Sequence, residues 1–166
     1  MIFRERAIIA VVLSISLILI FWFAQWIGNK SIMQEFNHYH TQYEWLSWKI
    51  YVKAKEETSK KNIPLPWMLA IYHSESRGNR FAVSVAGAVG LGQVMPLHWK
   101  GRVDALYDVD LNIELSTDVF SNCLIMNKGN LIKALNCYER GNNRQDINLK
   151  YLSEIIQNIY FYEETK

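Results

Sequence analysis

Residues 7–27, AIIAVVLSISLILIFWFAQWI, run for 21 positions without a charged side chain. Coiled as a helix at about 1.5 Å per residue, they reach about 31 Å, the thickness of a bilayer's hydrocarbon core. The run is apolar on all sides, which argues against a helix that buries one face in a globular core. Ser14, Ser16 and Gln25 interrupt it only singly, and Trp22 and Trp26 lie near its C-terminal end, where aromatic rings favour the membrane interface. The exit, FWFAQWIGNKS, is bulky and lacks the small-residue pattern of a cleavage site, so the run reads as a retained anchor rather than a signal peptide. Arg4, Arg6 and the amino terminus lie on one side and Lys30 on the other. The positive-inside bias then gives a cytoplasmic N-terminus, with the bulk of the chain outside, in the periplasm or its equivalent.

The 166 residues leave room for one compact domain beside this appendage. The expected organisation is an anchor over 1–29, a polar connector over 30–42 and a folded domain over 43–166. The formal charge is +2, and about +1 once residues 1–29 are set aside, so no electrostatic case for nucleic acid exists. His38, His40, His73 and His98 show no ligand spacing with Cys123 and Cys137, so neither a metal nor another cofactor is expected.

From Tyr43 to Lys61 the pattern is helical, with Tyr43, Leu46, Ile50 and Ala54 at three- and four-residue spacing. NIPLP at 62–66 breaks it, and Pro66 suits the first turn of a new helix. That helix, PWMLAIYHSES, buries some combination of Met68, Leu69, Ile71 and Tyr72, ends near Ser76, and is stopped by Arg77-Gly78-Asn79. Residues 112–126 read as a further helix with Ile113, Val119, Phe120, Cys123 and Leu124 in the core. A turn centred on Gly129, then LIKALNCYERG, complete an antiparallel hairpin. Cys123 and Cys137 lie seven residues either side of Asn130; they are read as buried free thiols, with a disulfide as the alternative in an oxidising compartment. A polar loop over 141–148 and an amphipathic helix, YLSEIIQNIYFY, close the chain.

Glu75 stands at the end of an apolar helix, and the segment after it is rich in Gly and Ala, which lets backbone approach a ligand. One acid delivered by a buried helix end into an uncluttered loop fits a cleft where a large polar ligand meets a proton donor. Tyr138, near the end of another apolar helix, is a candidate partner.

The ordered set Glu75-Ser76, then Ala82, Ser84, Gly87, Ala88, Gly90, Leu91 and Gln93, then Met95-Pro96, resembles the signature of the soluble-lytic-type transglycosylases. These are goose-type-lysozyme-like enzymes that cut peptidoglycan. Asp108 ahead of Asn112-Ile113, and Cys137-Tyr138-Glu139-Arg140-Gly141 in place of an Ala-Tyr-Asn-x-Gly motif, continue the likeness over roughly residues 43–160. The resemblance implies an all-α, lysozyme-like catalytic domain, placed here over 43–166 behind the single transmembrane helix read from residues 7–27. It implies cleavage of the β-1,4 bond between N-acetylmuramic acid and N-acetylglucosamine, ending in a 1,6-anhydromuramic product. Glu75 would donate the proton and Tyr138 would hydrogen-bond near it and help position the acetamido group. Ser76, Gly90, Leu91, Gln93 and Glu139 would serve substrate binding, Ser76 also by orienting Glu75. The usual two-carboxylate arrangement would be replaced by assistance from the substrate's own acetamido group.

This chain departs from the pattern twice. Gly92 replaces the usual Met, which would remove a side chain from the groove floor and loosen sugar packing. Glu139 replaces the usual Asn after the motif tyrosine, and as a helix-end carboxylate it is read as exposed; facing the cleft, it would act on Glu75 or activate water. The alternatives are a lysozyme-like hydrolase and an inactive glycan-binding component of a wall-spanning assembly. The partners implied are peptidoglycan strands, the bacterial inner membrane through residues 7–27, and a phage virion, secretion machine or conjugation machine.

Overall fold

The computed structural model describes residues 2–141 and 146–163, with backbone alone for 2–13 and 161–163. Part of the polar loop expected over 141–148, and the side chains at the end of the last helix, therefore lie outside the described residues. The chain divides into two compact units, Met1–Gln42 and Tyr43–Lys166.

The first unit is one helix, α1, Ile2–Gln42. The expected connector is its C-terminal end. From Ile15 to Ile27 its large apolar side chains are exposed, Leu17 and Trp22 each by about two thirds. An apolar surface of this kind suits a membrane anchor or a signal sequence. The helix is long and apolar enough to cross a membrane.

The second unit is all helical, with no strand among its described residues: α2 (Trp48–Lys60), α3 (Leu65–Ser76), α4 (Val109–Met126), α5 (Leu131–Arg140) and α6 (Leu149–Glu163), with two short 3-10 turns, Pro96–His98 and Val103–Tyr107. The sequence pattern ran α2 back to Tyr43. The helix starts later because Ser47 caps it, its hydroxyl accepting the Ile50 N–H at 3.3 Å. Tyr43 and Leu46 are buried nonetheless, in the turn that leads in. Helix α4 likewise starts earlier than its apolar pattern, at the cap Asp108, whose carboxylate accepts the Leu111 N–H at 2.9 Å.

Helix α3 is the centre of the domain. Leu65, Met68, Leu69, Ala70, Ile71 and Tyr72 are all buried, so it has core on nearly every side, with α2 and α6 packed on it. At about 1.5–3 kcal/mol for each large side chain removed from water, this burial fixes the helix that carries Glu75. Helix α4 packs on α2 and α5, with Ile113, Phe120 and Cys123 buried and Val119 and Leu124 half-buried. On α2, burial alone would raise the Glu57 carboxyl, but hydrogen bonds from Lys53, Lys60 and Lys61 hold it down to about 2. That cluster is saturated by its own charges.

The cysteines are paired, not free as the sequence reading preferred. A Cys123–Cys137 disulfide joins α4 to α5. The turn at Lys128 and Gly129, both in left-handed backbone, folds the hairpin back so that the two Cα atoms come within 5.7 Å, inside bridging range.

Candidate active site

Helix α3 ends because Arg77 turns left-handed (φ 53°) and its N–H bonds the His73 carbonyl at 3.0 Å. Glu75 is thereby left on the last turn, half-buried, with its carboxyl directed into the domain. The Tyr151 hydroxyl of α6 donates to Glu75 Oε1 at 2.7 Å. Burial pushes the Glu75 carboxyl up to about 7, against an ordinary 4.5. The Tyr151 hydrogen bond opposes that rise, and the charges of Glu139 and Glu154 add to it. The Tyr138 and Tyr151 phenols are driven well above their ordinary value, first by burial and then by the charge of Glu75. Both tyrosines thus stay neutral donors, and Glu75 exchanges its proton near neutral pH.

The Gly-rich segment is a folded loop held on α3 and α4. Val89 and Val94 exchange backbone hydrogen bonds at 3.0 and 2.9 Å. The buried Asn112 side chain spends both ends on the loop and its surroundings. Its Nδ2 donates to the carbonyls of Val89 and Leu106, each at 2.9 Å, and its Oδ1 accepts the Gly92 N–H at 2.8 Å. Gly90 has φ +82°, and a Cβ there would stand 2.3 Å from Asn112 Nδ2. Only glycine lets the asparagine in so close.

The Ser76 hydroxyl donates to the Leu91 carbonyl at 2.8 Å, tying the loop to the helix end that carries Glu75. Gln93, in left-handed backbone, bonds the Gly90 and Ala82 carbonyls at 2.9 and 3.2 Å. The Tyr138 hydroxyl donates to the Gly92 carbonyl at 2.5 Å, and its ring packs edge-on against Phe120.

Beside Tyr138 opens a cleft of about 670 Å³, walled by Met95, Leu97, Met126, Glu139, Arg140 and the disulfide. Glu75 is not among its lining residues.

The transglycosylase SLT domain family matches residues 53–159. The chain belongs to this family. No curated protein sequence matches it. Among solved structures, an inactive glutamate-to-glutamine mutant of the lytic transglycosylase Slt from Pseudomonas aeruginosa superposes on it with a TM-score of 0.52 at 20% identity, over 67% of this chain and 22% of that one. The fold is the lysozyme-like fold of the lytic transglycosylases, and this chain spans about a fifth of that neighbour's length.

Within this transglycosylase domain the sequence candidates separate by what they touch. Glu75 and Tyr138 are close enough to act on each other electrostatically; the Tyr138 hydroxyl bonds the Gly92 carbonyl, and the hydroxyl on Glu75 itself is that of Tyr151. The Ser76 hydroxyl and the Gln93 side-chain N–H groups donate to loop carbonyls, and Leu91 is fully buried. These three, with Gly90, shape the loop.

Gly92 leaves no gap. A Cβ there would stand 2.5 Å from Ser116 Cβ and 3.1 Å from the Tyr138 hydroxyl, so the Ser116 side chain of α4 and the Tyr138 hydroxyl fill that space. Glu139, read as exposed, is instead half-buried on the cleft wall. Asn148 donates to it at 2.6 Å and Arg140 pairs with it at 3.4 Å.

Sequence reasoning missed Tyr151, Asn148 and Ser116. The one available signal was the helical period of the last helix, which puts Tyr151, Leu152, Ile155 and Ile159 on its inward side.

Proposed function

We propose that this chain is a membrane-anchored lytic transglycosylase that cleaves the β-1,4 bond between N-acetylmuramic acid and N-acetylglucosamine and releases a 1,6-anhydromuramic end. The observation that carries the proposal is the half-buried Glu75 carboxyl, poised near 7 under the Tyr151 hydroxyl. A group with that affinity gives up and regains a proton at neutral pH with equal ease. In the first step Glu75 protonates the leaving glycosidic oxygen as the bond to the anomeric carbon breaks, assisted by the substrate's acetamido group. In the second, the Glu75 carboxylate takes the proton of the muramic 6-hydroxyl, whose oxygen closes on the anomeric carbon. Glu75 ends as it began, and no water is consumed. The cleft beside Tyr138 is large enough for glycan rings, and its thioether, leucine and disulfide walls suit their apolar faces.

The long apolar helix and the Arg4 and Arg6 side chains favour an inner-membrane anchor with the domain in the periplasm. That position suits local opening of the wall for a secretion or conjugation machine, or for a phage acting at the host envelope. A hydrolase reading has one observation in its favour, the Glu139 carboxylate on the cleft wall.

The test is the full chain in detergent micelles with purified peptidoglycan, with Glu75→Gln in parallel and products weighed by mass spectrometry. Anhydromuropeptides from the wild type alone are expected. Reducing ends carrying solvent oxygen would replace the proposal with hydrolysis, and intact peptidoglycan from a folded sample would refute both.

A further inference from the structure

Glu139 is the residue at which this chain exchanges an amide for a charge, and its hydrogen bonds lead back to the acid. Glu139 lies on the last turn of α5, next to Tyr138. Its Oε1 accepts the Asn148 side-chain N–H at 2.6 Å. Asn148 is the residue just before α6, and its own Oδ1 accepts the Tyr151 backbone N–H at 3.2 Å, the bond by which an asparagine caps a helix. Tyr151 closes the path with its hydroxyl on Glu75 Oε1 at 2.7 Å. Glu139 is itself steadied by Arg140, which also pairs with Asp146 ahead of α6.

We propose that Glu139 is a positioning residue for Glu75: through Asn148 it fixes the first turn of α6, and with it the hydroxyl that rests on the acid. This rests on Glu75 being the proton donor, but it concerns the free protein and is read without substrate.

The arrangement acts on Glu75 in two opposed ways. The negative charge of Glu139 favours the protonated acid, while the hydroxyl it helps to place favours the carboxylate. The other charged or titratable groups acting on Glu75 are Tyr138 from α5 and Tyr151 and Glu154 from α6, and Glu154 is paired with Arg77 at 3.0 Å. An asparagine at 139 could hold a neighbouring amide but would supply no charge.

The experiment is a titration of the Glu75 side-chain carboxyl by carbon NMR in the full chain in micelles, assigned with Glu75→Gln, for the wild type, Glu139→Gln, Asn148→Ala and Tyr151→Phe. Glu139→Gln keeps an acceptor for Asn148 and removes the charge, so the Glu75 midpoint is expected to fall by about half a pH unit or more. Asn148→Ala keeps the charge and frees the turn, so the midpoint is expected to rise. Adding Asn148→Ala to Tyr151→Phe should then move it little further. A midpoint unmoved by Asn148→Ala, or Asn148→Ala and Tyr151→Phe effects that add in full, overturns the proposal. If Asn148→Ala fails to fold, Glu139→Ala set against Glu139→Gln decides: both remove the charge but only alanine frees Asn148, so a higher Glu75 midpoint in Glu139→Ala is expected and equal midpoints overturn the proposal. Failure of the transglycosylase reading would show instead as a wild type that titrates as expected but leaves peptidoglycan uncut.

Discussion

Replacing Glu75 by Gln should make the domain more stable at alkaline pH and leave it nearly unchanged at acid pH. The folded state holds the Glu75 proton more tightly than the unfolded chain does, the carboxyl standing at about 7 against 4.5. Stability from this group is therefore complete below about pH 4.5 and is lost progressively as the pH rises through about 7. At about 1.4 kcal/mol per pH unit, the full loss is about 3 kcal/mol. Glutamine is nearly isosteric, keeps an acceptor for the Tyr151 hydroxyl and carries no titrating proton, so the variant escapes that loss.

The quantity to measure is the difference in melting temperature between the full-length variant and the wild type, in the same micelles, from pH 4.5 to 8.5. Other titrating groups shift both proteins together and cancel in the difference, apart from those touching Glu75. The gap is expected to open between pH 5 and 7.5 and to reach about 10 °C at pH 8.5, taking about 3 to 4 °C per kcal/mol for a domain of this size. A gap that stays constant with pH would refute the claim that burial holds the proton on Glu75. A gap that closes as pH rises would mean that the site stabilises the carboxylate.

Three further outcomes follow from the same geometry. Cleavage of peptidoglycan should decline above about pH 7, where Glu75, the proposed donor, loses its proton, falling about tenfold per pH unit well beyond it; a rate flat to pH 9 would exclude Glu75 as the acid. Gly92→Ala should cost about 1–3 kcal/mol in denaturant unfolding, because its Cβ would stand 2.5 Å from Ser116 Cβ, and Ser116→Gly in the same chain should recover part of that loss. Reducing the Cys123–Cys137 bridge, which spans 14 residues, should remove about 3 kcal/mol of stability by the loop-entropy measure, seen as a lower melting temperature with dithiothreitol that Cys123→Ser/Cys137→Ser reproduces without it.

What was legible in the sequence was what neighbours in the chain decide. Three- and four-residue spacing gave the helices, although Ser47 and Asp108, as caps, moved two boundaries that apolar pattern alone could not set. Glu75 was marked out by the helix stop and Gly-rich loop that follow it and by its place in the transglycosylase-like motif, and it lies half-buried at the end of α3. The hairpin that brings Cys123 and Cys137 level was legible too, but their bond was not, since spacing says nothing of how closely two helices pack. The rest of the site is made by contacts across long stretches of chain. Tyr138 reaches the Gly92 carbonyl over 46 residues, and Tyr151 reaches Glu75 over 76. In an amphipathic helix a tyrosine that bonds a half-buried acid has the same period as one that fills the core, so nothing local marks Tyr151. Gly92 misled for the converse reason. Reading it as a missing side chain treats the groove as a fixed mould, whereas Ser116, on a different helix, occupies the space. A departure from a family pattern therefore has to be read together with whatever packs against it, and Glu139 is such a case: its partner, Asn148, lies beyond the helix that carries it.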